Sequence, residues 1–174
     1  MRSGIDQGAR VGVRRVVTEE VDGRSRIVMD GPAPQSSLWQ ELWVSDGEHP
    51  VGYEPTDENA SLEPPEGGTR WRLFSVPPDA VIQRMIEEHQ AAMAAVHAAD
   101  PDAAPAEIAP RDLFHKTNTL DYVYVLEGEI SLELEDGAVD LSPGDCAVQR
   151  GTNHAWHNHG DAPVKLLVVM KGLS

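Results

Sequence analysis

His115, Asp121 and His154 are the residues whose types and spacing suit metal chemistry in this sequence. Side chains alternate faces along a strand, so His115 shares a face with Thr117, and His154 shares one with Trp156 and Asn158. If both strands line one interior, two imidazoles and a carboxylate converge there. Such a set offers nitrogen and oxygen donors to a divalent cation and leaves coordination positions open. Convergence requires the two histidine rings to lie within about 6 Å of each other, because metal–nitrogen bonds run near ~2.1 Å. The same alternation turns His157 and His159 to the other face, as surface histidines beside the turn at Gly160-Asp161.

The elements that must position these groups are short strands punctuated by turns. Residues 113–117, 121–126, 129–135, 139–141, 146–149, 153–158 and 164–170 read as strands. Glu127-Gly128, Asp136-Gly137, Pro143-Gly144 and Gly160-Asp161 separate them. Ile130, Leu132 and Leu134 alternate with Ser131, Glu133 and Glu135, which gives one buried face. Tyr122 and Tyr124 fall on the opposite parity from Asp121 and Val123, so at least one tyrosine is expected outside. Cys146 is expected to be buried as a small apolar residue.

Upstream, residues 11–18 and 24–29 flank Asp22-Gly23, a hairpin signal, and residues 37–44 and 70–76 read as further strands. The acidic, proline-rich loop 45–68 suggests a cover or lid. Over Asp79–Ala99 the period becomes helical, with Ile82, Met85, Ile86, His89, Met93 and Val96 on one face. Asp79 suits an N-cap and Asp100-Pro101 a stop. Loop and helix are expected outside the barrel, one of them near its mouth, with the helix as a structural buttress. Many short strands with regular turns imply an all-β sandwich or barrel.

The 174 residues amount to one domain, with apolar residues at an ordinary 40%. Lys and Arg number 14 against 29 Asp and Glu, for a net charge of −15. That field repels nucleic acid and anionic membranes. A single cysteine excludes an intrachain disulfide and fits the cytoplasm.

The two histidine-bearing stretches resemble the paired motifs of the cupin superfamily. The first runs His115-x-Thr117, three residues, Asp121, six residues, Gly128, with threonine and aspartate where the family usually has histidine and glutamate. The second runs from Gly144 through Gln149-x-Gly151-x-x-His154 to Asn158, one residue short and with Gln149 in place of proline. The resemblance covers about the last third of the chain. It implies a cupin-type antiparallel β-barrel, a double-stranded β-helix or jelly roll, with extra N-terminal strands and one inserted helix. It also implies one divalent ion (Fe, Zn, Mn or Ni) on His115, Asp121 and His154, with Thr117, Gln149, Trp156 and Asn158 as substrate contacts or ligand supports. Asn158 has a competing role in fastening its strand, and Trp156 one in the core.

The expected activity is that of a metal-dependent enzyme acting on a small oxygenated metabolite. It is either an oxygenase of the non-haem iron type or a Lewis-acid isomerase, cyclase, dehydratase or decarboxylase. The alternatives are a metal-free acid/base enzyme and a non-catalytic ligand-binding module. A homodimer is expected, since cupins often pair through their sheets and strand edges need cover.

Overall fold

The computed structural model describes residues 12–35, 39–55, 61–99 and 113–174. In chain order the elements are β1 (Arg14–Val21), β2 (Arg24–Pro32), β3 (Trp39–Ser45), β4 (Thr69–Val76), α1 (Asp79–Ala99), β5 (Thr119–Glu127), β6 (Ile130–Leu134), β7 (Gly137–Leu141), β8 (Cys146–Arg150), β9 (Ala155–His157) and β10 (Val164–Gly172). Residue 11 of the first expected strand, and residues 37–38 of the third, lie outside the described residues.

β1 and β2 form a hairpin whose turn residues, Asp22 and Gly23, both have positive φ (54° and 71°). A two-residue turn of that hand matches the twist of the strands it joins. The remaining strands form an antiparallel five-stranded sheet, ordered β3-β4-β10-β5-β8, and a three-stranded sheet, β7-β6-β9. The core gathers Val123 and Val125 of β5, Ile130 of β6 and Val164, Leu166, Val168 and Met170 of β10, joined by Leu141 and Trp156 from the smaller sheet. Gly128, where β5 passes to β6, has φ 81°, and a Cβ there would meet Val164 Cγ2 at 2.8 Å. Only glycine allows that close crossing.

Alternation along β5 follows the sequence pattern. Thr119, Asp121, Val123 and Val125 are buried, while Tyr122 and Tyr124 both face outward. Other expectations need correcting. Residues 113–117 form no strand, and only His115 is bridged, to His154. Cys146 is exposed, because its register opposite Tyr124 puts it on the outer face of the sheet.

Charge is buried in this core, which periodicity did not suggest. Arg70 and Arg72 of β4 point inward and are almost wholly enclosed, as is Glu41 on the neighbouring β3. Arg72 Nε and Nη2 donate to Glu41 Oε2 at 2.9 and 2.8 Å, and Arg70 Nη1 donates to the same oxygen at 3.0 Å. Arg72 also donates to the carbonyls of Ser61 and Leu62 and lies 4.7 Å over the Trp39 ring. Leu62 belongs to the loop expected as a cover, and these buried guanidinium bonds hold it down.

The helix bounds match the sequence expectation, but the capping does not. Pro78 offers its carbonyl to Val81 N–H and Ile82 N–H. Asp79 is instead drawn to the end of β9, where its carboxylate accepts from Asn158 N–H at 2.9 Å and meets His157 Nδ1 at 3.2 Å and His159 Nδ1 at 3.3 Å. His157 is therefore part of a bridge between helix and sheet rather than a free surface histidine. Among the described residues no helix is long and apolar enough to cross a membrane.

Candidate active site

His115 and His154 form an antiparallel bridge in which each backbone N–H donates to the other's carbonyl, at 2.9 and 3.0 Å. Directly paired residues project their side chains to the same face. Their ring centroids lie 4.4 Å apart. Each Nδ1 lies 2.9 Å from a backbone carbonyl two residues earlier, Leu113 for His115 and Thr152 for His154. A carbonyl oxygen only accepts, so each Nδ1 carries the proton and each neutral ring keeps its lone pair on Nε2. Fixing the tautomer in this way is how ligating histidines are prepared.

Both histidines open on a cavity of about 780 Å³. Thr117, Asp121, Gln149 and Trp156 line the same cavity. Thr117 Oγ1 lies 2.7 Å from Thr119 Oγ1, and Thr119 in turn is hydrogen-bonded to Asp121. Gln149, in register opposite Asp121, donates from Nε2 to Thr152 Oγ1 at 2.7 Å. Asn158 is the exception among the expected lining residues. It is 1% exposed, donates to the carbonyls of Val76 and Ala162 and accepts from Gly160 N–H, so its amide closes the end of β9 away from the cavity.

Asp121 is on the wall but not in a ligand cluster. Among the described residues no three His, Cys, Asp or Glu groups assemble into a set able to hold a metal ion. Aspartate is one methylene shorter than the glutamate usual in this motif, which limits its reach. Its Oδ1 is nevertheless buried without a hydrogen-bond partner. In donor chemistry the site fits a divalent cation, with an Nε2 lone pair on each of two imidazoles whose centroids lie 4.4 Å apart and an unsatisfied carboxylate oxygen on the same cavity wall.

Burial pushes the Asp121 carboxyl above the usual carboxylate value, against the smaller pull of the Thr119 hydrogen bond and of His115. Burial likewise lowers His154 below the ordinary imidazole value. A raised carboxyl means that the folded chain keeps a proton the unfolded chain has lost. Stability therefore falls as pH rises from ~3.9 to the raised value. A lowered imidazole acts in the opposite direction, since stability falls as pH drops below ~6.5 and the unfolded chain takes up a proton that the folded one refuses. Asp121→Asn is expected to stabilise metal-free protein at pH 7 by about 1 kcal/mol, a rise in Tm of ~2–4 °C. Scanning calorimetry after chelator treatment measures this, and a lower Tm would mean that native contacts favour the ionised carboxylate.

Much of the cavity lining was not singled out from sequence. Trp39, Phe74 and Phe114 contribute aromatic faces, and α1 contributes Ile82, Met85, Ile86 and His89. The helical period marked that apolar face, but nothing in it distinguished a pocket wall from a buttress.

Residues 102–170 match the family model of the Cupin domain, Cupin_2. Over those residues the chain carries a cupin domain. Among curated proteins, the cupin is 53% identical over 47 residues to "Oryzines biosynthesis cluster protein J" of Aspergillus oryzae, and the match covers 26% of each chain. It therefore spans about a quarter of that relative's length. A second relative, "Cupin-domain-containing oxidoreductase virC" of Hypocrea virens, is 38% identical over 73 residues, or 40% of this chain and 36% of the other. A solved Cupin 2 conserved barrel domain protein from Salinispora arenicola is 11% identical, with 76% of this chain and 73% of that one covered and a TM-score of 0.41. So distant a structural likeness has no bearing on function.

Proposed function

We propose that this cupin is a metal-dependent enzyme acting on a small oxygenated organic molecule, with the ion held by His115 and His154 and with Asp121 as the carboxylate donor. The observation that carries the reading is the backbone-paired histidines, each with Nδ1 committed to a carbonyl and Nε2 left as a lone pair. The name of the Hypocrea virens relative, an oxidoreductase, favours redox chemistry over Lewis-acid chemistry. A bound iron ion would supply oxygen chemistry at such a site, and zinc, manganese or nickel would polarise a carbonyl.

The chain's own residues have separate parts in this scheme. The Nδ1–carbonyl bonds hold both imidazoles in one orientation. The Thr117–Thr119 hydroxyl pair hydrogen-bonds the Asp121 carboxyl and orients it, leaving Oδ1 free to hold a proton or meet the substrate. The apolar walls exclude water from the reacting end. A metal-free acid/base enzyme is the second reading, favoured by the opposed shifts of Asp121 and His154 in the absence of a cation. Elemental analysis of untagged protein separates them. Stoichiometric iron is expected, zinc would move the chemistry to Lewis-acid catalysis, and metal-free protein with full activity would overturn the metal reading.

The same proposal includes a homodimer formed through the β1–β2 hairpin. Val16, Ile27 and Val28 are 46%, 65% and 47% exposed there, apolar side chains that a second subunit would cover. Light scattering is expected to return twice the 19.0 kDa chain mass. A monomer at micromolar concentration would refute the pairing.

A further inference from the structure

We infer that the substrate is a largely apolar, uncharged molecule with a single oxygenated head, and that helix α1 forms the apolar roof over its body. The inference rests on the proposed active site and names the class of molecule that site would take.

The chemistry of the cavity wall is one-sided. Its polar groups concentrate where β5, β8 and the His115–His154 bridge meet, at His115, Thr117, Asp121, Gln149 and His154. Elsewhere the wall is aliphatic or aromatic, apart from Ser75 and His89. Among the described residues no lysine or arginine lines it. Phosphate and multiple carboxylates are recognised by cationic donors, and the described residues place none on the wall. Arg72 is close behind it, but its donors are engaged by Glu41 and by the carbonyls of Ser61 and Leu62. A cavity of about 780 Å³ is in the range that encloses a drug-sized ligand.

The helix supplies the second observation. An amphipathic helix ordinarily buries its apolar face against a sheet. In α1 that face instead borders the cavity, where Ile82 and Ile86 are only half-buried and Met85 is 55% exposed. Its N-terminus is tied to the end of β9 through Asp79. An apolar body in the cavity would cover these side chains and complete the burial that the sheet does not supply. The single oxygenated head would then face Asp121 Oδ1 and the two Nε2 atoms.

The test uses 2-alkanones from 2-hexanone to 2-decanone as probes, with glucose 6-phosphate as the charged, polar comparison. Trp39 and Trp156 line the cavity, so intrinsic fluorescence reports binding, and calorimetry confirms it. Kd is expected to fall about fourfold per added methylene, with no detectable binding of glucose 6-phosphate. Ile86→Asp should flatten the chain-length dependence. Met85→Asp, at a more exposed position that tolerates charge, should do so without loss of fold.

Affinity independent of chain length would overturn the inference. So would tighter binding of glucose 6-phosphate, or no 2-alkanone binding at all, which would mean that a segment of this chain or a second copy fills the cavity. Running the series on chelator-treated and metal-loaded protein separates the two proposals. Length dependence in a protein that binds no metal supports the apolar substrate and sinks the metal reading. Tight metal binding without length dependence does the reverse.

Discussion

Glu41→Gln is expected to destabilise the protein by about 3–5 kcal/mol, the cost of leaving a buried charge without its partner. Arg72 is fully enclosed and Arg70 nearly so, and both are ion-paired to Glu41. Burial already lowers the Arg72 pKa against the opposing pull of Glu41, which marks the desolvation that the ion pair must offset. Glutamine keeps the shape and most of the acceptor geometry, so the loss isolates the charge. The exposed pair Arg14–Asp30 supplies the contrast. Asp30→Asn should cost far less, since solvent screens that pair and its geometry is entropically costly to hold. Urea unfolding of both variants measures the difference. Equal, small losses would mean that the buried arginines are held by the carbonyls of residues 61–63 and not by the carboxylate.

The second large effect is on metal affinity. His115→Ala and His154→Ala are each expected to weaken binding by about two orders of magnitude or more, one ligand's share of a site worth roughly 10–16 kcal/mol. Thr117→His should act in the opposite direction, because position 117 faces the same cavity and a third imidazole adds a donor. That gain comes with some loss of stability, since Thr117 is 5% exposed and bonded to Thr119. His157→Ala is the control. It disturbs the bridge to Asp79 but should leave metal affinity unchanged. Competition against a chelating dye gives all four values. Unaltered binding in His115→Ala and His154→Ala would place the ion elsewhere or nowhere.

What the sequence determined by itself was set by neighbouring residues. The hairpin at Asp22-Gly23 follows from two residues that tolerate positive φ. The start of α1 follows from Pro77-Pro78 before it. The period of two along β5 put Asp121 inside and both tyrosines outside. The motif spacing was enough to mark the cupin domain that the family model matches over residues 102–170, because it records the turns and strand lengths of the barrel.

Tertiary structure decided whatever depends on a partner distant in sequence. The Glu41 contacts with Arg70 and Arg72 join residues 29 and 31 positions apart, so three charges are buried together. Asp79, well suited to capping, was taken by Asn158 and His157 across 79 and 78 positions, and the cap passed to Pro78. Asn158 left the cavity wall because the carbonyl of Val76, 82 positions away, claimed its amide together with the nearby carbonyl of Ala162. The apolar stripe of α1 was legible, but whether it met a sheet or a cavity was not. Periodicity specifies that a face must be buried, and only the packing of the other elements determines against what.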